Sequence, residues 1–127
     1  MVYKHIVMWK FKEQHNGKSA LENARWMKEQ LEALVGVVPE LLSAEVGISP
    51  ALEQAAAVPS NAAAAQSNAA AVPAPAASGE YDACLLSTFA SPEALAAYKV
   101  HPKHKAISAY CKEARVKRLA FDWWSEE

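Results

Sequence analysis

Glycine and cysteine are scarce in this chain of 127 residues, with four of the first and two of the second. The two thiols, Cys84 and Cys111, are too few and too far apart for a disulfide framework or a zinc motif, so reduced, mostly buried cysteines are expected. No apolar run approaches the roughly 20 residues that a helix needs to span a bilayer. Neither sign of charge dominates. Thirteen basic and fourteen acidic residues leave a net charge of −1, and the basic ones are scattered, which excludes an electrostatic footprint for nucleic acid. The opening residues, MVYKHIVMWKFK, place lysines inside their apolar stretch and lack the ordered regions of a signal peptide, so a cytoplasmic protein with no membrane partner is expected.

Alanine, by contrast, is concentrated in one place. It makes up half of residues 51–78, where "AAAVP" occurs at 55–59 and 69–73 and "SNAA" at 60–63 and 67–70. These echoes are too short to be supersecondary repeats and read as low complexity. Pro59, Pro73 and Pro75 cut the stretch into pieces shorter than the ~12–15 residues an isolated helix needs, and no charge follows Glu53 until Glu80. The chain therefore reads as a single domain over residues 1–127, interrupted by a flexible insertion at about 50–78.

Residues 2–11, VYKHIVMWKF, alternate with period 2 as a strand, with Tyr3, His5, Val7, Trp9 and Phe11 on one face and Lys4, Ile6, Met8 and Lys10 on the other. Both faces are substantially apolar, so the sheet is expected to be covered on both sides. Asn16-Gly17 marks a turn, beside which His15 is expected to be solvated. Ser19 to Glu22 is a capping box for a helix expected to reach about Val35, with Leu21, Ala24, Met27 or Lys28, Leu31, Leu34 and Val35 as its buried stripe. Gly36 closes that helix and Pro39 prevents its resumption. Strands are expected at 41–48, 81–89 and 115–125. Ser91-Pro92-Glu93 starts a helix that should stop near His101, because the residue before Pro102 is pushed out of α geometry; a second short helix follows from Pro102 to about Lys112.

The order β-α-β-β-α-β predicts a ferredoxin-like α+β fold, a four-stranded antiparallel sheet with helices on one face. The uncovered face needs a partner, and a second copy of the chain is the economical one.

The segments "KHIVMWKFKE" (4–13), "ALVGVVPELLSAEVG" (33–47), "ALAAYKVHPKHKA" (94–106) and "AFDWW" (120–124) together resemble the stress-responsive A/B barrel (Dabb) family. The HPxH block after a tyrosine is the most specific part. The resemblance implies a homodimeric α+β barrel in which two sheets pack face to face. It also implies candidate pocket residues, similar to those of olivetolic acid cyclase-type polyketide cyclases: His5, Tyr98 and His104, with Asp122 as an orienting group. Some members carry a magnesium ion on backbone carbonyls beyond the first helix, and the matching positions are Val35, Val38 and Leu41. The long connection between the second and third strands departs from the family pattern.

Three readings follow. The first is a dimer that binds a small apolar ligand or acts as a structural module without turnover. The second is a cofactor-free cyclase or lyase using Tyr98, His104 and His5. The third is a cofactor-independent monooxygenase of the wider dimeric α+β barrel group. In the second, a histidine removes a proton next to a carbonyl, and a donor stabilises the enolate. Each residue also has a structural reading: His101 shapes the corner before Pro102, while His5, His104 and Tyr98 serve as core or capping groups. Trp9, Trp26 and Trp123 either line a pocket for a flat ligand or fill it.

Overall fold

The computed structural model describes residues 1–57 and 79–126. Strand β1 (Val2–Phe11) is followed by the two-residue strands β2 (Gln14–His15) and β3 (Lys18–Ser19) and by helix α1 (Ala20–Glu32). After β4 (Ser43–Ile48) and α2 (Pro50–Ala57) come β5 (Ala83–Phe89), α3 (Pro92–Val100), α4 (Pro102–Ala114) and β6 (Arg115–Ser125). The main sheet has four antiparallel strands in the order β4-β5-β1-β6. This is the ferredoxin-like fold expected from the element order.

Alternation along the strands decides which face the helices cover. In β1, His5, Val7, Trp9 and Phe11 are buried, and their partners in β5, Ser87, Leu85 and Ala83, are buried with them. Helix α1 closes this face with Leu21, Ala24, Met27 and Leu31. Each of the leucines and the methionine contributes about 1.5–3 kcal/mol when fully buried. Ser19 and Glu22 form both bonds of the capping box. Asn16 and Gly17 have φ of 58° and 74°, the double left-handed turn that suits a two-residue hairpin.

Three expectations change. Helix α1 ends at Glu32, and Val35 is 40% exposed, because the chain turns at Ala33 and brings Leu34, Val38 and Leu41 inward instead. Gly36, at φ 90°, takes the left-handed position of that turn. His15 is half-buried, with its ring 5.4 Å from that of Tyr110 and its carbonyl accepting from Asn23 Nδ2, because the hairpin folds back onto α1 and α4. Finally, residues 50–57 of the expected flexible insertion form α2. This helix is not isolated: Ala51 is buried, Leu52 packs on the core and Glu53 lies 3.9 Å from Arg25 of α1, so tertiary contact supplies what its length does not. The rest of that insertion, 58–78, lies outside the described residues.

The sheet edge at β4 is closed by side chains of α1. Glu32 accepts the Val46 N–H at 2.8 Å, Lys28 donates to the Val46 carbonyl at 2.7 Å, and the two side chains are 2.8 Å apart.

Candidate functional site

Antiparallel register sets His5 of β1 opposite Asp122 of β6 on the helix-covered face, and opposite Ser87 of β5 on its other side. The His5 ring is buried, and its Nδ1 lies 2.5 Å from Asp122 Oδ1. An ionised carboxylate only accepts, so Nδ1 carries the proton and Nε2 keeps the lone pair. Burial holds the His5 pKa below its ordinary value, and Lys99 and Arg118 push the same way; the Asp122 bond and charge oppose them without prevailing.

His104 reaches the same cavity from α4. His101 is the corner: its side chain caps α4 by accepting the Lys103 N–H at 3.1 Å. That break places His104 in the first turn of α4, where its Nδ1 is 3.2 Å from the Lys99 carbonyl. The carbonyl again requires the proton on Nδ1 and leaves Nε2 unprotonated. Burial lowers the His104 pKa against the pull of that hydrogen bond, and the His5, Arg118 and Lys99 charges add to the lowering. Both imidazoles are therefore neutral near pH 7 with the same ring nitrogen available.

Tyr98 is fully buried on α3, its ring 4.3 Å from that of His104 and 5.1 Å from that of Phe89. Its hydroxyl is buried with no hydrogen-bond partner, and desolvation holds its pKa above the ordinary value. The ring, not the hydroxyl, meets His104.

The cavity between these elements holds about 290 Å³. His5, Val7 and Trp9 of β1, Leu31 of α1, Leu85 of β5, Lys99 of α3, four residues of α4 and Arg115 and Arg118 of β6 line it. Among the α4 residues is Cys111, whose thiol burial pushes up to about 12, so it stays protonated and inert. Reading the sequence missed Lys99, Arg115 and Arg118. Arg118 had a signal, because four residues before Asp122 on a period-2 strand puts it on the same face.

The profile of the Stress responsive A/B Barrel Domain matches residues 3–59 and 53–125. The chain belongs to the Dabb family. No curated relative matches it. Among solved structures, a dimeric protein of ferredoxin-like fold from Bacteroides fragilis is 21% identical, with a TM-score of 0.69 over 98% of this chain and 96% of that one. A Dabb family protein from Mesorhizobium loti is 15% identical, with a TM-score of 0.60 over 99% and 98%. A hydroxynitrile lyase from Passiflora edulis is also 15% identical, with a TM-score of 0.66 over 99% and 95%. At these identities the likeness is one of fold.

The tryptophans separate. Trp9 lines the Dabb cavity with the histidines. Trp26 does not: it packs on Tyr110, ring centroids 4.7 Å apart, beside a second cavity of about 390 Å³ between α1 and α4. Trp123 pairs with Lys4 on the opposite face of the sheet and lies 5.8 Å from the Phe121 ring. An even or odd position along β6 decides this, and Trp123 is one residue out of step with Asp122.

The three carbonyls expected to hold magnesium lie in the loop after α1. They are hard oxygen donors of the right kind, but the Val38 carbonyl already accepts the Leu41 N–H at 3.1 Å. Three neutral oxygens with no carboxylate among them fit only a weakly held, largely hydrated ion, and no chemical step is assigned to one.

Proposed function

We propose that the cavity binds a small, largely apolar carbonyl compound and that His5, backed by Asp122, serves it as a general base, in the manner of a cofactor-free cyclase or lyase. The observation that carries this reading is the His5 ring, pinned through Nδ1 on a carboxylate inside a cavity of about 290 Å³. A proton leaving the carbon next to the carbonyl passes to His5 Nε2, and Asp122 stabilises the imidazolium that results. The His5 imidazolium returns that proton to the product, while the neutral His104 ring offers Nε2 only as a hydrogen-bond acceptor for the substrate, and Tyr98 positions that ring by contact. The relative named as a hydroxynitrile lyase lends the reading a neighbour in fold only.

The chain acts as a homodimer in this proposal. Several solved neighbours are described as dimeric. The sheet face away from the helices exposes Leu86, Leu119 and Phe121 at 37%, 50% and 65%, with Ile6 and Met8 between them. A second sheet would cover them. Free thiols at Cys84 and Cys111 agree with a reducing, cytoplasmic setting, and no helix among the described residues is long and apolar enough to cross a membrane.

Deuterium exchange at the carbons flanking the carbonyl of phenylacetone, followed by NMR in D₂O, tests the base directly. The protein should accelerate exchange, and His5→Gln should lose about 10²–10⁴-fold of that acceleration. Binding of phenylacetone without faster exchange would leave a ligand-binding dimer with no turnover. Oxygen consumption in the same tube would point instead to the monooxygenase reading.

A further inference from the structure

Three cations stand around one small cavity with no carboxylate in ion-pair contact with them among the described residues. Lys99, Arg115 and Arg118 line it from α3 and β6, and none of them makes an ion pair among the described residues. Asp122, whose charge reaches Arg118, is already engaged by His5. The chain as a whole carries a net charge of −1, so this local excess is not a reflection of overall composition. Arg118 is exposed on β6 yet lines the cavity, within electrostatic reach of Arg115, of both histidines and of Asp122. Deeper in the cavity, Trp9, Leu31 and Ile107 are buried at 6%, 3% and 6% and present only apolar surface apart from the indole N–H.

We infer that the compound bound here is a small organic acid, its carboxylate held by Arg118 with Arg115 and Lys99, its apolar body lying against Trp9, Leu31 and Ile107. This deepens the proposed function and rests on its claim that the cavity takes a small molecule. Planar, bidentate recognition of carboxylate is what an arginine fork does well, and the lysine adds charge without geometry. A cavity of about 290 Å³ lies at the small end of the ligand range, which suits an acid with one ring or a short chain rather than an extended molecule. The arrangement also matches the chemistry, because the same cations lower the energy of an enolate formed beside His5.

The test uses isothermal titration calorimetry on the whole protein, with 3-phenylpropanoate and its neutral amide, 3-phenylpropanamide, as matched probes. NMR of the His5 and His104 rings reports whether either probe enters the cavity. The acid should bind at least tenfold more tightly than the amide. Arg118→Gln should remove most of that preference, and Lys99→Gln, at an exposed position where folding is not in question, should remove a smaller part. Equal binding of acid and amide would overturn the inference and leave the small-molecule pocket standing. Inorganic phosphate displacing the acid with comparable affinity would overturn it too, since charge alone would then be read. If neither probe bound nor moved the ring signals, the pocket reading would fall as well.

Discussion

His5 and Ile6 are neighbours in the chain and occupy opposite worlds. His5 faces the helices, where Ser87 donates to its carbonyl at 3.2 Å and Asp122 holds its ring. Ile6 faces away, between Leu86 of β5 and Phe121 of β6. On the first face the fully buried polar side chains are few and, apart from the Tyr98 hydroxyl, hydrogen-bonded, with the three cations at the margin of the cavity. On the second, apolar side chains stand exposed in a row. The difference teaches that one sheet separates two tasks. The helix side can hold titratable groups because helices packed on the sheet fix them, whereas the open side offers apolar area whose burial waits on another surface.

Charging the open face should give the largest effect. Phe121→Asp would bury an unpaired carboxylate in a sheet-on-sheet interface at a cost of about 3 kcal/mol, or on the order of a hundredfold in dimer dissociation constant. Sedimentation equilibrium measures it, and an unchanged dimer would show that this face is not the interface. A smaller effect of opposite sign is expected on the helix side. Tyr98→Phe removes a buried hydroxyl that has no partner, and should stabilise the fold by about 1 kcal/mol, seen as a Tm a few degrees higher. A lower Tm would mean that the hydroxyl has an unseen partner, and that the contrast between the faces is less sharp.

The gentlest test is pH. Burial, acting against the Asp122 bond on His5 and the Lys99 carbonyl on His104, keeps both rings below the ordinary 6.5 in the folded state, with Lys99 and Arg118 adding to the effect. The unfolded chain therefore takes up more protons than the folded one as pH drops below 6.5, and stability falls with it; above 6.5 the contribution is complete. Thermal melts between pH 7.5 and 5 should show this decline. His104→Gln should flatten it, and a slope unaltered by that change would remove His104 as its source.

Much of the fold was legible because its local signals are self-contained. The capping box at Ser19, the Ser91-Pro92 start and the break before Pro102 each depend on residues within one turn, and period 2 in β1 identified the face that carries His5. What could not be read depends on tertiary contact. Helix α2 exists because Leu52 and Glu53 meet α1 and the core, which no propensity reveals. The resemblance already offered Asp122 as an orienting group, but which histidine it holds, His5 at 117 residues' distance, is decided only by the register of β1 with β6. Lys99 of α3 joins Arg115 and Arg118 of β6 only through the same kind of packing, and Trp26 left the site because its face of α1 turns toward Tyr110.

The two rims of the sheet are guarded by different means. At β4 the Lys28 and Glu32 side chains occupy the Val46 backbone groups, so an incoming strand finds those positions already taken. At β6 the outer strand instead carries Arg115, Lys117 and Arg118, a like-charge fence. The direct bonds of the Lys28–Glu32 pair to the Val46 backbone are short-range and weaken less with salt than a like-charge fence, which counterions screen. Concentrated salt would therefore lower the β6 rim more than the β4 rim, and β6 is the edge along which another strand would first add.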